Sequence, residues 1–107
     1  MKETKNNYVT VLWEARAKNG KAADMKSFIT GVVTGSRYDK GCIDYEAYEV
    51  EGQAGTFIIF ERWENMTALE GHLHTPRMTE KAPKLLELME GSIEGGIRLL
   101  QPIRPEK

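Results

Sequence analysis

Apolar positions along the chain change their period several times, and each change predicts an element. YVTVLWEAR, Tyr8 to Arg16, is rich in β-branched and aromatic residues and predicts a strand. After a Lys-Asn-Gly turn, Met25, Phe28, Ile29, Val32 and Val33 recur at helical spacing and predict a helix over 21–36. Gly31 and Gly35 each weaken it by about 1 kcal/mol relative to alanine, which leaves its tail the least secure part. CIDYEAYEV, from Cys42, sets Ile43, Tyr45 and Ala47 against Asp44, Glu46 and Tyr48 and predicts a second strand. The glycines of EGQAG predict a hairpin loop, and TFIIFERW, Thr56 to Trp63, a third strand. Asn65 is an N-cap for a short helix from Met66 to Leu73. Thr75-Pro76 starts a second helical segment, with proline at its first position, in which Met78, Ala82, Leu85 and Met89 share a face. GSIEGG breaks that helix, and IRLLQPI predicts the last strand.

The predicted order is β-α-β-β-α-β, the split βαβ of the ferredoxin-like α+β folds. Right-handed crossovers place the helices on one face of a four-stranded antiparallel sheet. In the third strand Phe57 and Ile59 point one way, and Ile58 and Phe60 the other. Both faces are apolar, and helices cover only one. The second face is expected to pack on another copy, giving a homodimer.

Composition narrows the class. The 107 residues suit a single domain over 1–107, with its core at about 8–103. With 15 basic and 16 acidic residues the net charge is -1, which disfavours non-specific nucleic-acid binding. One cysteine, Cys42, rules out an intramolecular disulfide. The first residues carry no apolar core of a secretory signal, and no apolar run reaches the length of a membrane span. The expectation is a soluble cytoplasmic protein without nucleic-acid or membrane partners.

Candidate chemistry concentrates in FERWENMTALEGHLHTP, Phe60 to Pro76. At about 100° per residue, His72 falls between Ala68 and Leu69 on the apolar face of its helix, and His74 on the opposite, solvated side. The two are not a joint ligand set, no metal-binding spacing is present, and no metal site is expected. An imidazole on an apolar face needs a partner. It is either a hydrogen-bonded core histidine or a polar group in a pocket that moves a proton near neutral pH. Trp63 shares a strand face with Phe57, Ile59 and Glu61. It either plugs the sheet–helix interface or forms a wall for a flat aromatic ligand. Alternation sets Glu61 inward or at the pocket mouth, and an isolated inward carboxylate wants Arg16, Tyr45 or His72 as partner. Cys42 has no adjacent base and is expected to be a packed small residue. The charged EKAPKLLELMEGSIEGG is expected to be the solvated side of a helix.

The runs GCIDY, FERWENMTALEGHLHTPRM and IRLLQP together resemble the antibiotic biosynthesis monooxygenase domain, most nearly its bacterial quinol monooxygenase branch. The likeness spans about residues 8 to 103, and the Trp63 to Pro76 run is its most specific part. It implies a dimeric α/β barrel of ferredoxin-like protomers with a pocket between sheet and helices. It also implies a monooxygenase that oxidises a small quinol-like aromatic substrate with dioxygen and no metal or organic cofactor. Within that frame His72 is the expected base. Trp63, Phe28 and Met78 are expected pocket walls, with Tyr45 and Glu61 in support. The anthrone-oxidising branch has Asn and Tyr where this chain has Ile59 and Leu69. The haem-degrading branch has Trp and a haem-ligating His where this chain has His72 and Ala82. Neither of those chemistries is expected here.

Two alternatives remain. One is a non-oxidative member of the same fold, an isomerase or a ligand-binding stress protein, because such folds host many functions. The other is an RNA-binding ferredoxin-like domain. GTFIIFERW lacks the basic residue and paired glycines of an RNA-binding strand, and the acidic balance opposes it.

Overall fold

The structure, a computed structural model, describes residues 8–103 and 105. Its elements are β1 (Val9–Arg16), α1 (Ala22–Ser36), β2 (Cys42–Glu49), β3 (Thr56–Trp63), α2 (Met66–Leu73), α3 (Pro76–Leu88), a 3₁₀ turn (Glu94–Gly96) and β4 (Ile97–Leu100). The strands pair antiparallel in the order β2-β3-β1-β4. This is the ferredoxin-like α+β arrangement, with the second crossover divided into two helices.

Register sorts the side chains into two faces. β1 opposes β3 with Val9 against Trp63, Val11 against Glu61, Trp13 against Ile59 and Ala15 against Phe57. On β3 the inward set Phe57, Ile59, Glu61 and Trp63 is buried, while Ile58, Phe60 and Arg62 are only half-buried. Met25, Ile29 and Val32 of α1, Leu69 of α2 and Leu88 of α3 close the core over that inward face. The outer face carries Leu12, Ile58 and Phe60 at its centre. The Arg62–Asp44 and Arg98–Glu14 ion pairs lie on the same side, at 2.7 and 2.9 Å.

Helix starts follow the predicted caps. The Asn65 side chain accepts from the Ala68 N–H at 2.9 Å, and Thr75 Oγ1 accepts from the Met78 N–H at 3.2 Å. Thr75 Oγ1 also donates to the His72 carbonyl at 2.9 Å, which ties the end of α2 to the start of α3. Gly41 has φ +84°, and a Cβ there would collide with the Ala68 Cβ. A glycine at this point lets α2 lie close against the entry to β2.

Three details depart from the sequence pattern. The β2–β3 register shifts between Cys42 and Asp44, so Ile43 is the extra residue of a bulge and leaves the alternation. Met89 lies beyond the end of α3, in extended conformation. There it bridges to Ala17 and is buried, so it does not share the face of Met78, Ala82 and Leu85. β4 stops at Leu100, short of the predicted Ile103. Pro102, which has no N–H to offer a ladder, lies just beyond it. No helix among the described residues is long and apolar enough to cross a membrane.

Candidate active site

Between the inner sheet face and the helices lies a cavity of about 280 Å³. Val11, Trp13 and Ile59 line it from the sheet, and Ile29, Val32 and Leu69 from the helices. Phe28, Met78 and Ala82 also border it. Thr79, Lys81 and Glu94 are its exposed polar neighbours. The volume is near the lower end for small-molecule sites, which fits a ligand of one or two rings. Its buried polar groups are His72, Glu61 and Tyr45.

His72 is 2% exposed. Its Nδ1 meets Asp39 Oδ2 at 2.7 Å. A carboxylate only accepts, so Nδ1 carries the proton and the neutral ring keeps a lone pair on Nε2. Nε2 is buried and has no hydrogen-bond partner among the described residues. Burial pushes the imidazole below its ordinary value of 6.5 and Arg77 adds to this, against the pull of Asp39. At neutral pH His72 is therefore an uncharged base with its acceptor nitrogen unused.

Asp39 is held on its other side by Arg77, which donates from Nη2 to Oδ2 at 2.6 Å and from Nη1 to Oδ1 at 3.3 Å. Burial raises the Asp39 carboxyl, but Arg77 and His72 outweigh it and hold the group below its usual range. Arg77 Nη2 also reaches Ser36 Oγ at 3.3 Å. Its side chain lies over Gly35, where a Cβ would stand 2.8 Å from Arg77 Cδ. The glycine that weakens the tail of α1 is thus the seat of this arginine.

Glu61 has a different environment. Trp63 Nε1 donates to Glu61 Oε1 at 2.8 Å, and Tyr45 also hydrogen-bonds the carboxylate. Tyr45 is thus the partner among the three expected. Arg16 lies at the far end of β1, opposite Thr56. Burial lifts the Glu61 carboxyl from 4.5 to about 7, against the hydrogen bonds of Trp63 and Tyr45. Burial, and then the charge of Glu61, push the Tyr45 phenol far above its ordinary value. Arg37 Nε donates to the Tyr45 carbonyl at 2.9 Å and fixes β2 to the end of α1.

Trp63 does not line the cavity. It is fully buried one layer deeper, stacked on His72 with centroids 4.6 Å apart and edge-on to Tyr45 at 6.3 Å. The expected wall is a backing: the indole face supports the imidazole and its N–H anchors Glu61. His74 is exposed, its Nδ1 against the Glu70 carbonyl. Cys42 is half-buried, with its thiol raised by burial and by Glu61. The run after Thr79 is not wholly solvated, since Lys81, Leu85 and Glu94 border the cavity and Leu88 is buried. Among the described residues, no three His, Cys, Asp or Glu side chains group as a metal site.

The sequence pattern of the antibiotic biosynthesis monooxygenase family matches residues 8–83. The chain belongs to this family. A Synechocystis relative, the uncharacterized protein sll1783, is 33% identical over 81 residues. That match takes in 73% of this chain and 55% of the relative, so the chain spans about half of that protein's length. Among solved structures, Rv0793 from Mycobacterium tuberculosis superposes with a TM-score of 0.81 at 21% identity, covering 94% of this chain and 99% of its own. PA3566 from Pseudomonas aeruginosa does so with a TM-score of 0.80 at 20% identity, covering 97% and 100%. At such identities the likeness is one of fold.

Within this antibiotic biosynthesis monooxygenase domain, sequence alone singles out His72, Tyr45 and Glu61 at the cavity but not Asp39 or Arg77. Asp39 sits in the turn before β2 and looks like ordinary turn chemistry. Arg77 carried a usable signal. It is basic in the first turn of α3, where the helix dipole disfavours a cation and no acidic residue is present. A cation in that position calls for a carboxylate partner.

Proposed function

We propose that this chain is a cofactor-independent monooxygenase of the quinol-oxidising kind, acting on a small hydroxylated arene with dioxygen. The observation that carries the reading is the unpartnered Nε2 of His72 beside an apolar cavity, with Nδ1 held by Asp39. Triplet dioxygen reacts slowly with closed-shell molecules, and most enzymes use a flavin or metal for this step. An electron-rich arene can supply the electrons itself once deprotonated. The protein then needs a base, an apolar pocket and hydrogen bonds for the developing charge. His72 is the base, and Asp39 with Arg77 holds its tautomer. Phe28 and Met78 form walls, Tyr45 and Glu61 give polar support, and Trp63 backs the imidazole.

Oxygen uptake with a panel of benzo- and naphthohydroquinones tests this. The expected result is protein-dependent uptake above autoxidation, unchanged by added flavin or by chelator. No uptake with any member, alongside tight binding of the same compounds, would favour the non-oxidative alternative.

We also propose that a second copy covers the outer sheet face. Leu12, Ile58 and Phe60 lie centrally there, and Tyr48 and Leu100 are exposed at 55% and 41% beside them. Sedimentation equilibrium at micromolar concentration should return twice the chain mass. A monomer there, made no more soluble by Phe60→Lys, would defeat this proposal.

A further inference from the structure

The cavity holds a second buried group able to exchange a proton. Two carboxyls serve this site, and their partners differ in kind. Asp39 meets the cation Arg77 and an imidazole. Among the described residues Glu61 meets only the neutral donors Trp63 and Tyr45, and it borders the cavity directly. A carboxyl without a cation in an apolar pocket keeps its proton more readily than one clamped by arginine. The same indole joins it to the base, with its N–H on Glu61 Oε1 and its face on the His72 ring.

We infer that Glu61 is the second proton-transfer residue of this cavity, protonating the peroxide formed when dioxygen adds to a substrate that His72 has deprotonated. This rests on the monooxygenase reading above. His72 Nε2 takes the hydroxyl proton of the arene. A ring carbon of the resulting oxyanion passes two electrons to dioxygen, and a C–O bond forms with a peroxide anion at its end. Glu61, as the acid, protonates that terminal oxygen. Its carboxylate then removes the hydrogen on the same carbon. The C–H electron pair becomes the second bond of a new carbonyl, the O–O bond breaks, and hydroxide leaves. Hydroxide takes the proton held by His72 and departs as water. The arene loses two hydrogens and gains one oxygen, and both residues return to their starting forms.

The group that does this must change protonation state near neutral pH. Burial brings the Glu61 carboxyl to about 7, so both of its forms are populated there. The titratable and charged groups around it are Tyr45 and Cys42 on β2 and His72 on α2. Lys81 on α3 and Glu94 in the 3₁₀ turn stand at the same cavity.

Glu61→Gln tests the assignment, because the amide oxygen still accepts from Trp63 while the acid is gone. With a hydroquinone that wild type oxidises, kcat should fall by about 10²-fold with KM nearly unchanged. The oxygen still consumed should appear as hydrogen peroxide rather than hydroxylated quinone. The limb near neutrality in the wild-type pH profile should be absent from the glutamine variant, and Glu61→Asp should partly restore rate and limb. A Glu61→Gln enzyme with the wild-type rate, coupling and pH profile would overturn the inference while leaving the monooxygenase reading standing. Wild type inert to every hydroquinone would end both. Should the glutamine variant not fold, carbon-13 NMR of wild-type glutamate carboxyls decides the point. A Glu61 midpoint near neutrality supports the role, and one in the ordinary glutamate range overturns it.

Discussion

Replacing His72 by alanine should lower hydroquinone turnover by about 10²-fold or more, the usual worth of a positioned general base. That loss corresponds to about 2.7 kcal/mol of barrier. Among the described residues His72 brings the one buried, unpartnered acceptor nitrogen at the cavity, and no other imidazole can replace it, since His74 is solvated on the far side of the helix. Asp39→Asn should act in the same direction by a second route. An amide offers Nδ1 a donor as well as an acceptor, so the ring can turn over its tautomer and present a protonated Nε2. Steady-state kinetics with both variants checks this, and unchanged turnover in His72→Ala would leave a merely packed histidine. The pH dependence has a definite sign. A histidine whose folded pKa is depressed lends stability above its unfolded value near 6.5, and that stability is lost as pH falls through the lower folded value. Wild type should therefore soften below about pH 6.5 in thermal melts, and His72→Ala should lose this part of the acid dependence.

Trp63→Ala should cost about 3–5 kcal/mol of stability, the range for emptying a fully buried large aromatic. The residue is 0% exposed, and its removal also strips Glu61 of a 2.8 Å donor and His72 of a stacked neighbour. Against a total of about 5–15 kcal/mol for a domain, such a loss leaves little folded protein at 37 °C. Trp63→Phe separates the two roles. It keeps most of the volume but no N–H, so it should fold, with a smaller drop in the urea midpoint. Its Glu61 carboxyl then has one hydrogen bond fewer to favour the charged form and should titrate higher still. Chemical denaturation of both variants is the check. A Trp63→Ala protein with a wild-type midpoint would mean that the indole is not the core of this site.

Period and capping made most of the fold legible beforehand. The three long strands and all the helices began within a residue of where alternation, helical spacing, Asn65 and Thr75-Pro76 put them. These signals are local, so they need no knowledge of the partner element. The inward placement of Glu61 and His72 was legible for the same reason. Two of the misplacements share one cause. Met89 sits at the right spacing for the α3 face, but the chain turns extended there to meet Ala17. Ile43 fits the alternation of β2, but pairing with β3 makes it the residue of a bulge. In both, contact with a distant strand overrode the local period.

By itself the sequence determined the order of elements, the apolar faces and the titratable groups set on them, because each depends on spacing along one segment. Only the tertiary structure decided how those groups are paired. Asp39 and Arg77 lie in separate segments of the chain, and each is unremarkable alone. Folding brings them to His72, where an ion pair fixes the imidazole tautomer at 2.7 Å. It also separates the two carboxyls, one beside a cation and one beside neutral donors, so that one is held ionised while the other is brought to titrate near neutrality. Protonation depends on the dielectric and charge within a few ångströms, and those neighbours come from elements far apart in the chain.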